Sequence, residues 1–379
     1  MHDDNRPGPE PLAALDGGTA PALEPAPLLT RRAVVQSAAV VVAAIGLAIM
    51  LALPTSFVVR MPGPSFDTLG GEGDDRVIVI EDRKTYEPSG QLRLTTVSAL
   101  GNPESRVPVL RLVRAWIDPD EGVYPLEAVY PRGVTVDQTT QVNQADMVTS
   151  QERASVAALR QLGIDVPSTL TVVETDPTMK ASGILEAGDV VTSLDGIGLT
   201  DFDHLSSLMD TKTPGDEVTV GVLRDGEPLD LAVETSASPH GGDDRAYLGV
   251  SLEIDFDMPF PVTVHIDDVG GPSAGMMFAL GIMDLLTPED EAGGQVIAGT
   301  GTLETIAGEV GEIGGITYKM HGARDEGATW FLAPRGNCGE VVGNVPDGMT
   351  VASVETLEEA YDAVVAIGEG RGAELPGCS

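Results

Sequence analysis

The sequence predicts an α+β protein with mixed sheets and helices, in two modules, behind one N-terminal transmembrane helix. Three observations predict it. Residues 33–59 carry no charge, and Ala33 to Leu53 is almost wholly apolar. Residues 170–235 alternate strand-like runs with Gly-Asp and Asp-Gly turns. After Tyr247, strand-like runs alternate with helical patterns across Gly-rich turns.

Residues 1–30 are rich in Pro, Ala and Gly and are expected to be disordered. The apolar run that follows is long enough to cross about 30 Å as a helix. Arg31 and Arg32 precede it, so the positive-inside tendency keeps the N-terminus in the cytoplasm and puts everything after Arg60 outside. The rival reading is a cleaved signal peptide, but no clear Ala-x-Ala pattern ends the run.

Ser89 to Val97 alternates like a strand. Gln144 to Leu162 reads as an amphipathic helix with Met147, Ala154, Ala158 and Leu162 near one face. Leu170-Thr171-Val172-Val173 reads as the next strand. A tight turn at Leu194-Asp195-Gly196 and a short helix around Phe202 to Met209 follow. Val218 to Leu223, ending in Arg224-Asp225-Gly226, is a hairpin signal. Pro261 to Ile266 is a strand that leads into Gly270-Gly271-Pro272-Ser273-Ala274-Gly275. Met276 to Leu286 is a mostly buried helix that stops before Pro288, and Leu357 to Val365 reads as a closing helix.

The chemistry concentrates at Ser273 and Lys319. Ser273 sits at the start of an apolar helix, where free N–H groups and the dipole would stabilise an oxyanion. Ala274 and Gly275 leave room for a peptide backbone. The plainer reading is a helix N-cap, a position serine favours. A serine hydroxyl needs a base to attack an amide, and a lysine neutralised by burial can be that base. The lysines are Lys84, Lys180, Lys212 and Lys319. Lys319 follows the Gly-rich turn Gly314-Gly315 at the start of a helix. A pKa near 7 there would cost about 4–5 kcal/mol and needs a dry pocket. A solvated helix-start lysine is the alternative.

Composition bounds the function. The net charge of −37 argues against nucleic acid, whose phosphates it would repel. No Gly-x-x-x-x-Gly-Lys-Ser/Thr phosphate loop occurs in the chain. No His/Cys/Asp cluster has metal-ligand spacing, and no cofactor is implied. His265 and His321 could suggest a Ser-His-Asp triad, but neither has a convincing partner carboxylate, so both are expected to be structural or exposed. Cys338 and Cys378 would lie outside, where a disulfide is allowed. Two free thiols are the other option.

Gly271-Pro272-Ser273-Ala274-Gly275, with Gly314-Gly315-Ile316-Thr317-Tyr318-Lys319 and Trp330-Phe331-Leu332-Ala333-Pro334, resembles the proteolytic domain of Lon-type serine proteases. The resemblance implies Ser273 as nucleophile and Lys319 as general base. Ile297-Ala298-Gly299-Thr300-Gly301-Thr302 resembles the segment whose Thr hydrogen-bonds the lysine; Thr300 is the match and Thr302 the competing choice. The sequence departs from the family at Gly270, where many members are acidic; Asp267 and Asp268 are near but out of register. Residues 170–235, in the order Gly-Asp-Val-Val, Asp-Gly, Pro-Gly-Asp, Arg-Asp-Gly, resemble a bacterial PDZ domain of the kind attached to proteases. Such domains bind an extended peptide by adding it to a sheet edge. The segment Gly163 to Thr169 is the candidate for its carboxylate loop.

As a whole, about residues 55–370 resemble the membrane-anchored PDZ-Lon proteins of bacteria. The expected organisation is a disordered tail (1–30), an anchor (31–59), the N-terminal part of a Lon-like domain (60–165), an inserted PDZ-like domain (166–240), the Lon-like core (241–370) and a C-terminal tail (371–379). An unrelated N-terminal β-region is the simpler layout. The resemblance implies an ATP-independent, extracytoplasmic serine endopeptidase with a Ser-Lys dyad. Its partners would be unfolded or flexible polypeptides and, through one helix, the membrane. Assembly into a homo-oligomeric ring is compatible with this. The rival from another class is a membrane-tethered PDZ scaffold with a vestigial peptidase site.

Overall fold

A computed structural model describes residues 30–71, 76–238, 245–266 and 269–378. The expected disordered tail, apart from Thr30, and both Asp267 and Asp268 lie outside the described residues. The chain divides into two units, Met1–Leu53 and Pro54–Ser379.

In the first unit the apolar run forms the helix Arg31–Ala52, and none of its residues is buried. Thr30 caps it by accepting from the Ala33 N–H. At about 1.5 Å per residue the helix is long enough, and apolar enough, to cross a membrane.

The second unit holds two large sheets. The first is six-stranded, in the order Thr350–Val354, Trp330–Pro334, Val296–Gly299, Gln91–Leu100, Phe57–Asp67, Gly122–Pro125. The first four are parallel; the last three pair antiparallel. The parallel strands are covered on both faces, as their near-continuous apolar sequences require. Along them, Ile297 and Leu332 point into one core with Met277 and Phe278 of the helix Gly275–Leu286. Their neighbours Ala298, Phe331 and Ala333 point into a second core with Ile316 and Met320 of the helix Ile316–Asp325. This period of two sets the serine-bearing and lysine-bearing segments on opposite faces of one sheet.

Val296–Gly299 runs parallel to Gln91–Leu100, with Ile297 opposite Leu92. Ile78–Ile80 pairs antiparallel with Val262–Val264. Both pairings join chain from before the second sheet to chain from after it.

The second sheet is antiparallel throughout, in the order Val250–Phe256, Ser168–Thr175, Val190–Leu194, Glu217–Arg224, Glu227–Glu234. The helix Phe202–Met209 contributes Leu205 and Met209 to its core. The expected hairpin falls at Asp225-Gly226, both of which take positive φ.

The long helix is Val136–Gln161, eight residues earlier in its start than the apolar pattern indicates. Thr135 and Gln138 form a capping box there. Its first half is largely exposed, so no apolar period marks it. Met147, Ala154 and Ala158 pack on the serine helix as their spacing predicts.

Candidate active site

Three segments converge at Ser273. The first is its own turn, which ends the approach from Val262–Val264 and opens the helix Gly275–Leu286. Every residue from Gly275 to Leu285 is buried, so the helix is held rigidly by the core. Two neighbours fix the turn. The Ser150 hydroxyl donates to the Pro272 carbonyl at 3.0 Å, and the Gly271 N–H donates to the Asn143 carbonyl at 2.8 Å. Neither Ser150 nor Asn143 is singled out by the sequence, because small polar residues on a helix have many uses.

The absence of an acidic residue at position 270 has a steric reason. A Cβ there would sit 2.8 Å from the Asn143 Cβ, so only glycine fits against the long helix.

The second segment follows Val296–Gly299. The Thr300 hydroxyl donates to the Ser273 carbonyl at 2.9 Å, and the Gly301 N–H donates to the same oxygen at 2.9 Å. The third is the lysine helix. Gly315, at φ 74°, turns the chain into it in a left-handed conformation that other residues adopt at a cost. The preceding loop is held by Asn337, which is buried and bonds both the N–H and the carbonyl of Ile313, at 2.9 and 2.8 Å. At the far end Glu326 accepts from the Ser65 N–H and hydroxyl and pairs with Arg93, tying the helix to the sheet.

Lys319 Nζ donates to Ser273 Oγ at 2.8 Å and to Thr300 Oγ1 at 2.8 Å. Lys319 is 3% exposed and Thr300 fully buried. No carboxylate pairs with the ammonium among the described residues. Burial therefore dominates and pushes the Lys319 ammonium down from 10.5 to about 7. Thr302, the competing match, instead donates to Glu304.

A cleft of about 790 Å³ opens over this cluster. Ser273, Ala274, Gly314 and Lys319 line one side; Thr95 to Ala99 line another. Gln91 to Leu94 are paired to Val296–Gly299, but the same edge of the strand beyond Leu94 has no strand partner among the described residues. The Ser273 and Ala274 N–H groups have no acceptor among the described residues.

The two histidines take no part in this cluster. The His265 N–H donates to the Val77 carbonyl. His321 Nδ1 lies 2.6 Å from Asp120, so the expectation that it lacks a carboxylate partner is corrected; no hydrogen bond joins that pair to Ser273 among the described residues. Cys338 and Cys378 are bridged, with Cα atoms 4.9 Å apart.

In the second sheet, the strand after Gly163 to Thr169 is interior, with a neighbour on each side. The sheet's edge strands are Glu227–Glu234 and Val250–Phe256, the latter preceded by Tyr247-Leu248-Gly249. The alternation of Val250, Leu252, Ile254 and Phe256 with Ser, Glu and Asp marks that segment as a strand in the sequence itself.

The Lon protease C-terminal proteolytic domain profile matches residues 254–366, which include Ser273, Thr300 and Lys319. The PDZ domain profile matches residues 133–235. Over 69 residues the chain is 36% identical to the periplasmic pH-dependent serine endoprotease DegQ of Escherichia coli, covering 18% of this chain and 15% of that protein. Over 99 residues it is 33% identical to the mitochondrial Lon protease homolog of Yarrowia lipolytica, covering 25% of this chain and 8% of that protein. The chain thus spans only a small part of the length of these relatives. Among solved structures it is similar to the PDZ domain of an SdrC-like protein from Listeria monocytogenes, at 19% identity over 22% of this chain and 85% of that one, with a TM-score of 0.20. A protein from Geobacillus thermodenitrificans matches at 30% identity over 22% and 94%, with a TM-score of 0.20. The chain carries a PDZ domain and a Lon-type protease domain, together with one N-terminal helix long and apolar enough to span a membrane.

Proposed function

We propose that this chain is an ATP-independent serine endopeptidase that works outside the cytoplasm on unfolded or flexible polypeptides. One observation carries the reading: a buried lysine with no counter-ion among the described residues lies 2.8 Å from a serine hydroxyl that lines the same cleft. Neutral Lys319 takes the Ser273 proton as Oγ bonds to the scissile carbonyl carbon. The oxyanion is received by the Ser273 and Ala274 N–H groups. Protonated Lys319 then gives its proton to the leaving amine as the C–N bond breaks. Water attacks the acyl-enzyme by the same route and frees Ser273. Thr300 orients the lysine and, through the Ser273 carbonyl, the serine turn.

Substrate enters extended, beside the open strand edge at Thr95 to Ala99. The PDZ domain holds a second stretch of polypeptide on the Val250–Phe256 edge. In sequence, the strand Val262–Val264 follows that edge and precedes the serine turn, which supports the two sites working on one polypeptide. The catalytic domain is discontinuous, with the PDZ domain inserted; the strand pairings across the insertion support this. The Arg31–Ala52 helix spans the membrane with its N-terminus in the cytoplasm, and the catalytic domains assemble as a homo-oligomeric ring.

The test is cleavage of an unfolded model protein by the full chain in vesicles, with and without ATP. The expected result is ATP-indifferent cleavage in the natural chain and none in Ser273→Ala or Lys319→Ala. Equal cleavage in all three would overturn the reading. A folded, membrane-bound chain that cleaves nothing would favour the tethered PDZ scaffold.

A further inference from the structure

The helix Val109–Ile117, Val-Leu-Arg-Leu-Val-Arg-Ala-Trp-Ile, is apolar on more faces than it buries. Leu112 and Ala115 pack into a small core with Val59 and Val107. Leu110, Val113 and Ile117, at i, i+3 and i+7, form a second, exposed stripe. Ile117 is 78% exposed and Trp116, beside it, 72%. Phe57 and Leu100, on the neighbouring strands, are exposed as well. An uncovered apolar surface of this kind is a contact site rather than scattered surface.

Two observations select the partner. The first is the chain path. Pro54 is bonded to Leu53, the residue after the Arg31–Ala52 helix, and pairs in a bridge with Pro108, the N-cap of this helix. The Thr55 N–H donates to the Val107 carbonyl at 2.9 Å, and Arg106 donates to Ser56 at 2.8 Å. The exposed stripe therefore starts within two residues of the point where the chain leaves its apolar span. The second is charge. In a chain of net charge −37 this helix has two arginines and no acidic residue. Arg111 is taken by Glu121, whereas the Arg114 side chain has no ion pair among the described residues. Glu104 and Asp118 stand just outside the helix.

We propose that Val109–Ile117 lies on the lipid bilayer, with Trp116, Ile117 and Val113 in the interfacial layer and Arg114 at anionic headgroups. This rests on reading Arg31–Ala52 as a membrane span. Tryptophan at the headgroup level and arginine beside it is the usual chemistry of such contacts. A nine-residue helix would bind lipid weakly by itself. Tethered a few residues from a span, it meets the bilayer at an effective concentration in the millimolar range, where weak affinity suffices. The helix also lies between two segments that line the catalytic cleft, Thr95 to Ala99 and Val129-Tyr130. Its docking holds that cleft close to the membrane surface.

The chain has two tryptophans, Trp116 and Trp330, so Trp330→Phe leaves Trp116 as the sole reporter. The full-length variant is placed in vesicles of phosphatidylcholine and phosphatidylglycerol. A carbonate wash first tests the span; release of the chain overturns both readings. With the chain retained, the expected result is blue-shifted Trp116 emission, quenched about twofold or more by lipids brominated on the acyl chain and shielded from aqueous acrylamide. Val113→Glu with Ile117→Glu, both at exposed positions, should abolish the lipid quenching while the chain stays in the vesicle. Emission open to acrylamide and indifferent to brominated lipid overturns the proposal. So does shielding from both quenchers that vanishes at one chain per vesicle, which would assign the stripe to a second copy. Should Trp330→Phe fail to fold, the difference between the natural chain and Trp116→Phe reads the same signal.

Discussion

Two cations, one in each domain, meet opposite fates. Arg224 in the PDZ sheet reaches the buried carboxylate of Asp189 through Nε and Nη2, both at 2.7 Å, and Glu186 at 2.7 Å. Its charge is answered, and the guanidinium holds Asp189 below the usual carboxylate range. Lys319 in the protease domain is buried more deeply and, among the described residues, meets only hydroxyls. A paired charge stabilises a fold and does nothing else. A buried cation without a counter-ion destabilises the fold, and its neutral form becomes a base at ordinary pH. The contrast separates a structural ion pair from a reactive group without reference to motif.

The largest expected effect breaks the contrast on the reactive side. Ser273→Ala and Lys319→Ala should each lower kcat by at least about 10³-fold, and the double variant little further, because the pair acts as a unit. In the natural chain kcat/KM should rise with pH through one ionisation near 7, the value to which burial pushes Lys319. A flat profile from pH 6 to 9 would remove the lysine from the role of base.

Stability should respond to the same group. Unfolded, Lys319 titrates near 10.5; folded, at about 7. Above about pH 10.5 both states hold it neutral and burial carries no penalty. As pH falls through that window the unfolded chain binds a proton that the folded one does not, and stability is lost. Below about pH 7 the loss is constant, with an upper bound of about 4–5 kcal/mol. Lys319→Met fills the same space without the charge. Its melting temperature should exceed that of the natural chain at pH 7, with the difference shrinking towards pH 10.5. The matching change in the PDZ sheet, Asp189→Asn, should destabilise by about 2 kcal/mol at pH 7, through weakened hydrogen bonds to Arg224. Chemical denaturation followed by amide exchange in each sheet would score both.

Much of this site was legible because its residues sit in turns, where sequence is constrained. Ser273 and Lys319 follow Gly-Pro and Gly-Gly steps that fix the backbone, and the strand Trp330–Pro334 is apolar enough to be read directly. What escaped was support from a distance. Ser150, Asn143 and Asn337 hold the two turns by bonding to carbonyls and N–H groups far away in sequence, and nothing local marks them. The strands Phe57–Asp67 and Gly122–Pro125 escaped for another reason. The first contains Pro62, Gly63 and Pro64, and its register slips there, which breaks the alternation a strand is recognised by. The edge strand Val250–Phe256 was legible but unassigned, because its partner lies a whole module earlier in the chain.

Thr300 tests how far positioning matters. It bonds both the lysine and the serine carbonyl, so Thr300→Val removes two contacts and keeps the shape. The expected fall in kcat is about tenfold to a hundredfold with KM little changed. The inflection of the pH profile should also shift, a change that simple loss of packing would not produce. Rescue by Thr300→Ser would assign the effect to the hydroxyl.

Asp284 sharpens the contrast, since it too is buried and incompletely paired, yet it lies at the other end of the serine helix. One oxygen accepts from the Glu291 N–H at 3.2 Å; the other has no partner among the described residues. Burial, with Glu291 and Asp290 nearby, pushes its carboxyl up to about 7. Tyr361, which also feels the Asp284 charge, donates to Glu291. Below about pH 3.8 both folded and unfolded chains hold the proton, and above it the folded chain binds more. Stability is therefore lost as pH rises towards 7 and stays lost beyond. Asp284→Asn should leave the protein unchanged near pH 4 and raise its stability by about 1 kcal/mol at pH 8, less than the full penalty because the amide must also be accommodated. Peptidase activity should be unaffected, since Asp284 touches neither Ser273 nor Lys319. If activity instead followed the Asp284 titration, an unpaired buried charge at a helix end would have to be counted as part of the catalytic apparatus, and the contrast drawn from Arg224 and Lys319 would extend along the whole serine helix.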